Sequence, residues 1–102
     1  MYLSPPKGVN MDYSLLNVGF GSTIVAEEVV AILAPNSAPM RRLKDEAKEE
    51  QRLIDATHGR RTRSIIITKT NHIVLSSIQS ETLSQRFMTL KEKESLKTAV
   101  LA

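Results

Sequence analysis

Leu53-Ile54-Asp55-Ala56-Thr57-His58-Gly59-Arg60-Arg61-Thr62-Arg63 runs directly into Ser64-Ile65-Ile66-Ile67-Thr68, and this stretch decides the fold. Leu53-Ile54 reads as a short strand. Thr62 to Lys69 is dominated by β-branched residues and predicts a strand. Thr70-Asn71 supplies turn chemistry, and His72-Ile73-Val74-Leu75-Ser76-Ser77-Ile78 predicts the return strand of a hairpin. Between Ala56 and Ser80 the formal charges are Arg60, Arg61, Arg63 and Lys69, with no acid among them. A guanidinium is a planar fork of donors that matches phosphate oxygens, so a strand edge carrying these groups suits a polyanion. The plainer reading is a solvated turn whose arginines pair with carboxylates elsewhere in the fold.

Moving outward toward the N-terminus, Ser14-Leu15-Leu16-Asn17-Val18 predicts a first strand, and Gly19-Phe20-Gly21 turns the chain. Ile24-Val25 and Val29-Val30-Ala31-Ile32-Leu33 predict either two strands or one strand bent at Glu27-Glu28, whose carboxylates read as a solvated strand edge. Pro35-Asn36 ends this block. Ser37 is a good N-cap and Pro39 falls in the first turn, where a missing N–H costs nothing. The helix should run from Ala38 to about Gln51. Met40, Leu43 and Ala47 form its narrow apolar stripe, opposite a mixed-charge face that extends to Arg52.

Toward the C-terminus, Ser80-Glu81-Thr82 starts a second helix in which Leu83, Phe87 and Leu90 keep helical spacing. The expected class is α+β: a small, mostly antiparallel sheet with one central helix and a C-terminal helix. Residues 13–88 form the expected domain, and residues 89–102 a charged helical tail. Residues 1–12 are expected to be a disordered leader, because Pro5-Pro6 and Gly8 break any pattern. Lys7-Gly8-Val9-Asn10 can be encoded by a purine-rich run of the ribosome-binding type, which would make Met11 the true start. Gene sequencing tests that hypothesis, and a Lys7-Gly8 codon pair without the purine run sinks it.

Composition narrows the function. A chain of 102 residues fits one small domain, and association is a common way for so short a chain to add burial. The aromatics are Tyr2, Tyr13, Phe20 and Phe87, too few for the stacking platforms of single-strand binding. The net charge of +3 and pI near 9.5 permit polyanion binding. The absence of cysteine removes disulfides, thiol catalysis and thiolate metal sites. No apolar run approaches a membrane span, and no secretory signal is evident, so a cytoplasmic protein is expected.

Other chemistry finds little support. Gly19-Phe20-Gly21-Ser22-Thr23 lacks the third glycine of a dinucleotide loop and the Lys-Ser/Thr of a P-loop. His58 and His72 stand apart, without ligands at metal spacing, so no metal and no cofactor is expected. A Ser64–His58–Asp55 triad can be drawn, but Asp55 reads better as a turn anchor and His58 as a turn residue beside the arginines. No enzyme and no small-molecule substrate are expected.

With these runs laid out, the chain resembles the RemA family of bacterial regulators (extracellular matrix regulatory protein A). Asn17-Val18-Gly19-Phe20-Gly21, Pro35-Asn36-Ser37-Ala38-Pro39, Leu53 to Arg63, and His72 to Thr82 carry the likeness, in one register across about residues 11 to 88. The resemblance implies a nucleoid-associated transcriptional regulator linked to biofilm matrix operons. It implies a LytTR-like protomer that assembles into a homo-oligomeric ring and binds double-stranded DNA. It assigns DNA binding to Arg60 and Arg61 and importance to Pro39. Arg63 and Lys69 extend the basic surface, and Gly59 shapes its turn. One departure stands out: Glu28 occupies a position where the family commonly has a DNA-contacting arginine. An adaptor whose arginines hold subunits together is the alternative reading.

Overall fold

Side-chain alternation along the hairpin predicted from Thr62 to Ile78 sets the layers of the molecule. The computed structural model describes the backbone of residues 13–101 and the side chains of residues 13–93; the leader expected at 1–12 lies outside them. The elements in chain order are β1 (Leu15–Gly19), β2 (Ser22–Val25), a 3₁₀ turn (Ala26–Glu28), β3 (Val29–Leu33), α1 (Ala38–Glu49), β4 (Leu53–Asp55), β5 (Ser64–Thr68), β6 (Ile73–Ser76) and α2 (Ser80–Leu101). β1 and β2 form an antiparallel ribbon, and the larger sheet has the order β3-β5-β6-β4. Only the β4–β6 pairing is parallel among the described strands. The α+β class and the mostly antiparallel sheet therefore hold.

Ile65 on β5, with Ile73 and Leu75 on β6, packs with Met40, Leu43 and Ala47 of α1. Ile66 and Val74, one residue out of phase, pack on the other face with Leu16, Val18, Ala26 and Leu83. Successive strand residues point to opposite faces, so two covered faces require continuous apolar runs. That is why Ile65-Ile66-Ile67 and Ile73-Val74-Leu75 do not alternate with polar residues. Met40, Leu43 and Ala47 form the inward stripe of α1 expected from their spacing. Leu83, Phe87 and Leu90 do the same for α2.

Beside the packing of Leu16 and Val18, a hydroxyl bonds the ribbon to the sheet. Pairing of β1 with β2 skips Val18, and the Asn17 side chain accepts from the Gly19 N–H at 2.8 Å across the bulge. The Val18 carbonyl, out of the ladder, accepts instead from Ser76 Oγ at 2.7 Å. Glycine suits position 19 because its φ is +110°, a conformation that residues with a side chain rarely adopt.

Three expectations need correction. The first concerns Glu27: the Ile24–Leu33 region is two strands, one of the two arrangements expected, in different sheets, and Glu27 is not on a solvated edge. It lies in the 3₁₀ turn between them, accepts from the Ser14 N–H at 2.9 Å and pairs with Lys91 at 3.2 Å. Burial of Glu27 pushes its pKa up, but the bonds from Ser14 and Lys91 outweigh this and hold it below the ordinary value. Arg52 leaves the solvated face of α1. Its Nη1 donates to the Asn71 carbonyl at 2.7 Å and its Nε pairs with Glu50 at 3.0 Å, clamping the end of α1 to the β5–β6 turn. The hairpin strands are shorter than the apolar runs, because Arg63 and Ser77 belong to the turns that flank them.

Candidate functional site

The loop from Ala56 to Arg63 is built from its ends inward. Ala56 N–H donates to the Leu75 carbonyl at 2.9 Å, and Arg63 N–H donates to the Ser76 carbonyl at 2.8 Å. Both ends are thus fastened to neighbouring residues of β6. Inside them, the Asp55 carboxylate accepts from the Thr57 N–H at 2.9 Å and from Thr57 Oγ1 at 2.6 Å. The Thr57 hydroxyl and N–H together hold the Asp55 pKa below its ordinary value. Asp55 is the turn anchor its position implied.

Arg60 N–H then closes on the Thr57 carbonyl at 3.1 Å. The two central residues, His58 and Gly59, have φ of +54° and +79°. Positive φ at both positions is the type I′ geometry, which glycine adopts without steric cost and histidine adopts under strain. The turn lifts Arg60 toward the tip of the β1–β2 ribbon. There the Arg60 guanidinium carbon lies 4.6 Å from the centroid of the Phe20 ring, and the His58 ring lies 5.1 Å from it.

Arg60, Arg61 and Arg63 are all exposed. With Phe20 and Ser77 they line one concavity of about 370 Å³. Arg61 and Arg63 also border a second, of about 280 Å³, with Asn36, Ser80 and Glu81. None of the three arginines forms an ion pair among the described residues. Pairing with carboxylates elsewhere in the fold is therefore not what occupies them.

Lys69 is not brought to this cluster. It follows β5 at the end opposite Arg63, about 20 Å away at the rise of a strand. Its N–H donates to the Glu28 carbonyl at 2.8 Å. Glu28 therefore sits beside Lys69 and away from the arginine concavity. Pro39 lies in the first turn of α1, behind Ser37, whose Oγ accepts from the Met40 N–H at 3.3 Å. Pro35 and Asn36, just ahead of that cap, border the second concavity.

Ser64, His58 and Asp55 do not form a triad. Asp55 bonds Thr57, the His58 ring meets Phe20 at a tilt of 47°, and Ser64 Oγ is buried without a hydrogen-bond partner. Among the described residues no cluster of His, Asp and Glu is placed to hold a metal ion. No helix among them is long and apolar enough to cross a membrane. Sequence reasoning missed Phe20 as a partner of Arg60. The available signal was an aromatic residue placed in a glycine turn of a chain with few aromatics.

These features define a small α+β domain that presents three exposed arginines, without ion pairs among the described residues, on a loop fixed at both ends. The chain belongs to the RemA-like family, described as extracellular matrix regulatory protein A-like, whose model matches residues 15–87. It is 62% identical over 76 residues to a protein of Thermotoga neapolitana named "Putative regulatory protein", covering 74% of this chain and 83% of that one. A protein of Oleidesulfovibrio alaskensis with the same name is 64% identical over 74 residues, covering 72% of this chain and 88% of the relative.

Proposed function

We propose that this chain is a bacterial transcriptional regulator that binds double-stranded DNA through Arg60, Arg61 and Arg63. The observation that carries the reading is the exposure of these arginines, without carboxylate partners among the described residues, on a loop anchored to β6. The regulatory names of its relatives and its family membership support the same direction. No small-molecule substrate and no catalytic step belong to this function, and its setting is the cytoplasmic nucleoid. In this reading the genes controlled are those of an extracellular biofilm matrix, and the extracellular matrix in the family's description supports that direction.

The mechanism is electrostatic. Each guanidinium displaces a condensed counterion from a phosphate, so three contacts give a log–log salt slope of about −2.7 per protomer. One protomer is a weak binder. A LytTR-like, ring-shaped homo-oligomer repeats the surface and multiplies the contacts, and DNA bends to meet successive copies. Exposed Leu15, Val30, Ile54 and Met88 offer apolar area for the subunit contacts. Phosphate contacts carry little sequence information, so target choice rests on DNA shape and site spacing. Lys69 adds at most a peripheral contact from the far end of β5.

A salt titration of duplex binding tests the proposal. Wild type is compared with Arg60→Ala/Arg61→Ala after light scattering shows equal mass. Steep, salt-sensitive binding that the double variant loses is the expected result. No wild-type binding at low salt would overturn it. An oligomer that dissolves when the arginines are removed would favour the adaptor reading.

A further inference from the structure

Phe20 is poorly placed for a core residue. It is 49% exposed and belongs to neither apolar core. Its φ is +52°, a left-handed conformation that is strained for a bulky side chain. The strain is therefore not offset by burial. What the conformation achieves is contact: the ring meets Arg60 and His58, which come from a second left-handed turn. Two unrelated turns, each with a non-glycine residue at positive φ, converge on one aromatic ring. Backbone strain of this kind gathers where surrounding structure fixes a functional geometry.

We infer that Phe20 is the positioning residue of the arginine surface: its ring fixes the Arg60 guanidinium beside Arg61 and Arg63 at their shared concavity. The inference rests on the DNA-binding reading. A cation over a ring face is attracted to the negative face of the π system. Guanidinium donors lie in the plane of the group, so an arginine that stacks by its face still offers its N–H edge to a phosphate. A free arginine must lose rotamer freedom when it binds. One already held on a ring has lost part of that freedom in advance. Arg60 is thus a pre-set donor.

The test is a double-variant cycle on a short DNA duplex, with Phe20→Leu, Phe20→Tyr, Arg60→Ala and Phe20→Leu/Arg60→Ala. Oligomeric mass and Tm are matched first. Phe20→Leu should weaken binding about threefold per engaged protomer. Phe20→Tyr, which keeps the ring, should bind as wild type does. In the Arg60→Ala background Phe20→Leu should add nothing, because the ring then has no guanidinium to hold. Equal losses in both backgrounds, or no loss in either, would overturn the inference.

A second readout separates this inference from the proposal beneath it. In NMR spectra of the free protein, Arg60 side-chain protons should be shifted upfield by the ring current in wild type and Phe20→Tyr. Phe20→Leu should remove that shift. Unshifted Arg60 protons in wild type would refute the positioning role even if DNA binds. If wild type bound no duplex, the DNA reading would fall, and the upfield shift would still decide whether Phe20 holds Arg60.

Discussion

Replacing Gln51 with glycine should stabilise this protein, although it deletes a side chain. Helix α1 ends in a left-handed residue, Gln51, with φ of +58°. The chain reversal is closed by Arg52 N–H to the Ala47 carbonyl at 2.7 Å and by Gln51 N–H to the Lys48 carbonyl at 3.3 Å. This is the Schellman pattern, in which the left-handed position is usually glycine. A non-glycine residue there carries a penalty of about 1–2 kcal/mol. Glycine removes it but returns about 0.5–1 kcal/mol as added freedom of the unfolded chain. The Gln51 side chain is exposed and forms no hydrogen bond among the described residues, so its deletion loses nothing further.

The net gain is about 0.5–1 kcal/mol, or a rise in Tm of about 2–8 °C for a domain of this size. Thermal unfolding followed by circular dichroism measures it. Protomer concentration must be held fixed, because self-association raises Tm by mass action. Gln51→Ala is the control: it keeps the left-handed strain and should stay within about 0.5 kcal/mol of wild type. A glycine variant no more stable than wild type would refute the reasoning. So would an alanine variant that gains as much as glycine, because the gain would then owe nothing to the backbone.

Leu83 is fully buried where α2 meets Leu16, Val18 and Ile66, so Leu83→Ala should lose about 2–5 kcal/mol in urea unfolding; a loss below about 1 kcal/mol would mean that α2 docks elsewhere. Ser64 Oγ is buried without a partner, so Ser64→Ala should be neutral or stabilising within about 1 kcal/mol, and a larger loss would reveal a partner for the hydroxyl. Asp55 and Glu27 have pKa values below their ordinary 3.8 and 4.5 in the folded state. Their stabilising contributions are complete above those ordinary values and fade as pH falls through the lowered ones. Asp55→Asn should therefore flatten the acid limb of the stability profile, and a variant profile parallel to wild type would contradict the Asp55–Thr57 anchor.

Local patterns made much of the fold legible. Ser37 and Pro39 located the start of α1 because capping chemistry is local. The β-branched runs located the hairpin for the same reason. Partnering over long distances was less readable. Nothing in Leu53-Ile54-Asp55 announces that it pairs parallel to Ile73-Val74-Leu75 at the edge of the sheet. Glu27 looked solvated because its partners, Ser14 and Lys91, lie 13 and 64 residues away. The arginine triplet was visible in the sequence, whereas its separation from Lys69 and Glu28 needed the strand direction. Phe20 was hidden for another reason: a turn aromatic gains meaning only when the residue beneath its neighbour is known.

The fastening of the Ala56–Arg63 loop to adjacent carbonyls of β6 also bears on how such a domain can diverge. Adding or deleting a residue would displace an anchor and shift the register of a buried hairpin, so the loop is constrained in length. Arg60, Arg61 and Arg63 are exposed and belong to neither core, so exchanging them leaves both cores intact, although an exchange of Arg60 gives up its contact with Phe20. Descendants of such a domain can change what they recognise by altering a few exposed side chains, while inheriting the backbone that displays them unchanged.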